Sequence, residues 1–179
     1  MDDSVGRVSR LSPRFLPVAS LRGMNPSYPS PEHAETFARR RERATERLGD
    51  GVLVLPAAVR QYASADTERR YAPDRELFYL TGLTTENCLA ILVGGAGPRF
   101  VIFAPDRDPA AELWSGPRVD PEELADRVGA DAWHPTSAIA EVLPTLLDEG
   151  DRIFFRLGRG GAVERCVLDA LARTRRSEE

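Results

Sequence analysis

Two short apolar runs, residues 89–93 and 100–103, lie on either side of a turn reading Gly94-Gly-Ala-Gly-Pro98. Runs of this length around so glycine-rich a turn predict an antiparallel β-hairpin, and with it a sheet that the rest of the chain must cover. A third apolar run, residues 51–55, is closed by Pro56 and predicts another strand. Ahead of it, Ser30-Pro31-Glu32 supplies an N-cap, a first-turn proline and an early acid, and Gly49 supplies a stop. The helix between them carries Phe37, Ala38, Arg41, Ala44 and Leu48 on one stripe, so it should pack by a narrow face, as a lid. The unbroken run Leu77-Phe-Tyr-Leu80 reads as a strand buried on both sides.

Further along, Asp120-Pro121-Glu122-Glu123 opens a second helix with a capping-box-like acid, and Gly129 ends it before a short strand at 130–133. Residues 137–147 have helical spacing but contain Pro144, which must kink or divide them. Residues 152–157 predict a strand, and Val163, Val167, Ala170 and Leu171 mark the buried side of a closing helix. The element order implies an α/β fold with a mixed, about six-stranded sheet flanked by helices.

A chain of 179 residues suits one compact domain. Residues 1–30 are rich in Pro, Ser, Arg and Gly without a sustained period and read as an extended or disordered leader. Met24, just before the first helix signal, is a second candidate start. The domain is expected over 31–173, with 174–179 leading out of it. Pro13 and Pro17 break the only apolar stretch of the leader, which argues against a secretion signal, and no apolar run reaches the roughly 18 residues of a membrane span. A cytoplasmic location is expected. Cys88 and Cys166 are far apart, with apolar neighbours, and are expected to be buried free thiols.

The net charge of −4, with arginines interspersed among acids, gives no electrostatic reason to expect nucleic acid. All 24 basic residues are Arg, so a lysine Schiff base and a P-loop lysine are excluded. His33 and His134 stand apart from any HExxH-like pattern. Counted from Asp106, the place of an EF-hand's terminal glutamate is taken by Pro117. Neither Ser64 nor Cys166 sits in a nucleophile elbow. No catalytic residue and no metal ligand is therefore assigned in this chain. Gly158-Arg-Gly-Gly161, between a strand and a helix, could cradle an anion, but Val163 stands where GxGxxG needs its last glycine. Arg69, Arg70 and Arg75 flank Tyr71 and could bind a peptide carboxylate or a partner's acids.

Three segments together resemble the N-terminal domain shared by aminopeptidase P, prolidase and creatinase, with aminopeptidase P the nearest pattern. The first is Phe37-Ala-Arg-Arg-Arg-Glu-Arg43 followed by Gly49-Asp-Gly-Val-Leu-Val-Leu55. The second, Tyr71-Ala-Pro-Asp-Arg-Glu-Leu-Phe-Tyr-Leu-Thr-Gly82, is the most specific. The third is Arg107-Asp-Pro-Ala-Ala-Glu-Leu-Trp-Ser-Gly-Pro-Arg118, similar to the family's Arg-Asp, Glu-x-Trp-x-Gly-x-Arg run. One departure is Ala72, where the family pattern usually has Arg, with Arg75 where a small polar residue is common.

The resemblance implies a non-catalytic domain of an Xaa-Pro aminopeptidase, which removes an N-terminal residue ahead of proline. Two divalent metals, typically manganese, would lie in a following catalytic domain whose Asp, Asp, His, Glu and Glu ligands match nothing in this chain. Such a domain covers part of the active-site mouth and helps to build a homo-oligomer. By the same resemblance Trp114 is a candidate for a neighbouring subunit's substrate pocket, where an indole offers a rigid wall to a proline ring. It could equally anchor its own loop on the sheet. Arg118, Tyr71, Asp74 and Arg75 complete the candidate pocket or interface residues. The expected partners are the chain's own or a related catalytic domain, a second copy, and the proline-containing peptide. Rival readings are a stand-alone interaction protein retaining the fold, and a module binding an anion or nucleotide through 158–161.

Overall fold

The computed structural model describes residues 31–58, 62–64, 67–68, 71–106, 120–158 and 161–177. Helix α1 (Pro31–Leu48) leads into strand β1 (Gly51–Pro56), followed by a small ribbon of β2 (Tyr62–Ser64) and β3 (Thr67–Glu68). After α2 (Arg75–Thr81) come the hairpin strands β4 (Leu89–Val93) and β5 (Arg99–Ala104). Then follow α3 (Pro121–Val128), β6 (Ala132–Pro135), a 3-10 turn (Thr136–Ala138), α4 (Ile139–Leu147), β7 (Arg152–Phe155) and α5 (Ala162–Ser177).

The main sheet has the order β6-β5-β4-β1-β7. The expected hairpin forms, with Leu89 opposite Phe103 and Val93 opposite Arg99, and β1 adds to β4 antiparallel. The outer strands β6 and β7 join in parallel to β5 and β1, so the sheet is mixed as expected. It has five strands where about six were expected, because the run at 77–80 folds as a helix and adds no strand.

Side-chain alternation along the central strands sends one set of residues to each face. Leu55, Ala90, Leu92, Phe100 and Ile102 point to a core shared with α1, α2 and α3. Val52, Val54, Leu89, Ile91, Val101 and Phe103 point to a second core with α4 and α5, through Leu143, Leu146, Leu147, Val167 and Ala170. Burial on both faces explains why these strands read as unbroken apolar runs. The hairpin approaches the end of α1 so closely that a Cβ on Gly94 would lie 2.0 Å from the Gly49 carbonyl oxygen, and only glycine fits.

The structure corrects several expectations. Residues 77–80 belong to α2 and are not a strand: the Asp74 carboxylate accepts from the Glu76 and Leu77 N–H groups at 2.9 and 3.1 Å, and Gly82 closes the helix in the left-handed region at φ 72°. Leu77 and Leu80 face the core, whereas Phe78 and Tyr79 are 44% and 56% exposed. A four-residue apolar run cannot show by itself whether its period is two or 3.6, and the caps decide it. In α1 the stripe is right for Phe37 and Leu48, but Ala38 is exposed. In α5 Leu171 is 41% exposed while Val167 and Ala170 are buried. Pro144 lies inside α4, and the division falls earlier, at the 3-10 turn. Cys88 is buried as expected but Cys166 only half-buried.

Candidate functional site

The second motif folds as a capped turn of structure at the junction of α2 with β1 and β7. Asp74 is buried with its carboxylate spent on the α2 N-terminus. Arg75, next in sequence, is exposed and borders a surface concavity of about 330 Å³ lined also by Ala58, Pro73, Asp74 and Arg156. Arg156 follows directly on β7 and meets Glu76 of α2 at 3.5 Å. Two guanidinium groups therefore reach one concavity from different elements, with Glu76 partly neutralising one of them. Nothing in the local sequence around Arg156 announces this, because only the parallel pairing of β7 with β1 brings it beside α2.

Tyr71 is half-buried and its hydroxyl makes no well-aligned hydrogen bond, the Ala58 backbone offering only a partial one. Burial first, and then the neighbouring Cys88, Glu86 and Asp74, push its pKa up to about 12. The phenol is a neutral donor and not a base. Thus Tyr71, Asp74 and Arg75 share one region, with Asp74 holding it together. Trp114 and Arg118, and the whole third motif, lie outside the described residues, as do Arg69, Arg70 and the middle of 158–161.

Arg41 is the one buried guanidinium among the described residues, at 8% exposure. It sits on the apolar stripe of α1 and donates to the Leu80 carbonyl at 3.2 Å and to the Val128 carbonyl at 2.9 Å. Those carbonyls belong to the last turns of α2 and α3, where free acceptors and the negative end of the helix dipole collect. Its guanidinium carbon also lies 4.3 Å from the centroid of the Phe100 ring on β5. Burial lowers its pKa to about 10, against a raising influence of Asp131, so it stays charged at neutral pH. One side chain thereby fixes α1, α2 and α3 to the sheet. Its neighbour Arg40 lies 4.3 Å over the Tyr79 ring and 5.3 Å from that of Phe37, and donates to the Tyr79 carbonyl at 3.0 Å.

Among the described residues no three His, Cys, Asp or Glu side chains converge as a divalent metal requires. His134 packs its ring 5.4 Å from that of Phe103, and burial lowers its pKa. The described residues thus do not fit a two-metal centre. No described helix is long and apolar enough to cross a membrane.

Comparison with known proteins agrees with this architecture. Residues 37–154 match the family model described as aminopeptidase P, N-terminal domain. The Xaa-Pro aminopeptidase of Escherichia coli is 27% identical over 145 residues, which is 79% of this chain and 33% of that protein. Among solved structures, the Pseudomonas aeruginosa aminopeptidase PepP superposes with a TM-score of 0.72 at 30% identity, over 81% of this chain and 33% of that one. A zinc-substituted E. coli aminopeptidase P in complex with product gives 0.74 at 26% identity, over 85% and 34%. This chain therefore spans about a third of the length of the relatives it matches. With the motif order, the mixed sheet and the helices on both its faces in agreement, the chain belongs to the aminopeptidase P N-terminal domain family.

Proposed function

We propose that this chain acts as the non-catalytic N-terminal domain of a metal-dependent Xaa-Pro aminopeptidase, shaping substrate access and contributing to oligomer assembly. The parent enzyme would hydrolyse the bond between an N-terminal residue and a following proline. The observation that carries the reading is the match over most of this domain to about one third of such enzymes. A zinc-substituted relative with bound product supports metal dependence in the parent. The ions, manganese in this proposal, would be held by the remaining two thirds, and what this chain contributes is a wall and a docking surface. Trp114 would form part of the substrate-facing wall, Arg118, Tyr71 and Arg75 would be further pocket or interface residues, and Asp74 would act from beneath by capping α2. Two free thiols fit a reducing cytoplasm.

The test is a chimera in which this chain replaces the matching third of the E. coli enzyme, assayed on an Xaa-Pro peptide with manganese. Trp114→Ala in the chimera should lower kcat/KM at least about tenfold, the scale of a lost aromatic contact. Circular dichroism and metal content should not change. An unaltered kcat/KM would remove Trp114 from the substrate wall, and a chimera that is folded and metal-loaded yet inactive would count against the domain assignment.

A further inference from the structure

The outer surface where α1 meets α2 is basic and aromatic. Phe78 and Tyr79 are exposed there, Phe78 set edge-on to Phe37 with ring centroids 5.9 Å apart. Arg40, half-buried, lies over the Tyr79 ring and is held by the Tyr79 carbonyl, so its guanidinium is fixed before any partner arrives. At about 100° per residue, Arg43 and Arg47 fall on the same flank of α1 one and two turns further on, and Arg75 shares the outer face of α2 with Phe78 and Tyr79. Arg43, Arg47 and Arg75 are exposed, and among the described residues no carboxylate pairs with any of the three. The acids Glu35, Glu42 and Glu46 of α1 lie away from α2, on the outer side of the helix, and Glu76 is turned toward Arg156.

From this arrangement we infer that the α1–α2 face docks an acidic polypeptide segment of a partner protein, one that carries an aromatic or aliphatic anchor. Arginine and aromatic side chains are the residues that most often dominate the energy of protein interfaces. Here both are already ordered by one another, which lowers the entropy lost on binding. Four guanidinium groups that no carboxylate pairs with among the described residues select a negatively charged partner, and Phe78 and Tyr79 offer it an apolar seat. A nucleic acid would be long and uniformly charged, and a chain of net charge −4 repels it overall. A short acidic segment feels chiefly the local arginines, within a screening length of about 8 Å. Only Arg75 is shared with the proposed pocket residues, and Phe78, Tyr79 and the arginines of α1 do not belong to them.

The experiment is fluorescence anisotropy of a labelled glutamate-rich peptide with one phenylalanine and one leucine, titrated with the full chain. Saturable binding is expected. It should weaken at least about tenfold with Tyr79→Ala, and likewise with the double change Arg43→Glu and Arg47→Glu. A peptide with serine at both anchors should bind as weakly as the Tyr79→Ala protein binds the parent peptide, and a single-stranded thymidine oligonucleotide should not compete. The altered side chains are exposed, so circular dichroism should confirm that each variant folds. Absence of saturable binding, binding indifferent to Tyr79→Ala or to the charge reversals, or equal affinity for the oligonucleotide would overturn the inference.

Discussion

Replacing Arg41 by lysine should destabilise the domain out of proportion to the apparent conservatism of the change. The guanidinium reaches two carbonyls at the ends of two different helices, 3.2 and 2.9 Å away, while its carbon lies 4.3 Å from the centroid of the Phe100 ring. An ammonium is a single point and can serve only one of those acceptors at a time, and it does not stack as a planar guanidinium does. Losing one hydrogen bond to a charged donor costs about 1.5–3 kcal/mol, and a desolvated cation–π contact is worth up to about 2. Partial hydration of the freed carbonyl would return some of this, so a net loss of about 2–3 kcal/mol is expected. For a domain of this size that corresponds to a fall in Tm of roughly 6–10 °C. Arg41→Ala, which leaves both carbonyls unpaired and opens a cavity, should cost about 4 kcal/mol. Urea denaturation followed by circular dichroism measures both. If Arg41→Lys unfolds within about 0.5 kcal/mol of the unaltered chain, the two-carbonyl fork is not what holds the three helices together.

Asp74→Ala removes the α2 cap and should lower stability by about 1–2 kcal/mol in the same assay, whereas Asp74→Asn, still a good N-cap, should recover most of the loss. Burial pushes the Cys88 thiol up to about 12, so iodoacetamide should modify half-buried Cys166 first and reach Cys88 only once urea has unfolded the chain, as read by peptide mass spectrometry. The lowered pKa of His134 means that the unfolded chain takes up a proton before the folded one does. Its contribution is therefore fully present above the unfolded value near 6.5 and declines as pH falls below it, and His134→Gln should flatten the dependence of Tm on pH between about 7 and 5.

Much of the fold could be read from local signals. The hairpin around residues 94–98 and the helix from Asp120 to Gly129 were legible because turn glycines, a first-turn proline and capping acids act on their neighbours, without help from distant residues. The error at residues 77–80 came from reading an apolar run as a period: Asp74 and Gly82 were both visible as helix caps, and their spacing would have identified α2. Leu171 misled because an apolar residue at helical spacing need not face the core, and α5 shows leucine on its outer side. Of the site, Tyr71, Asp74 and Arg75 could be singled out from their motif. Arg156 could not, since it reaches α2 only through the pairing of β7 with β1 across nearly a hundred residues of chain. Arg41 was placed on the apolar stripe of α1, but its role depends on where two other helices end.

Under the proposed function the domain would support peptide hydrolysis without supplying the groups that perform it. The most direct test is to incubate the chain alone with an Xaa-Pro peptide and manganese, beside the same chain joined to the remaining two thirds of the E. coli enzyme. Release of the N-terminal residue only by the joined protein is the predicted result, and manganese-dependent release by the isolated chain would contradict it.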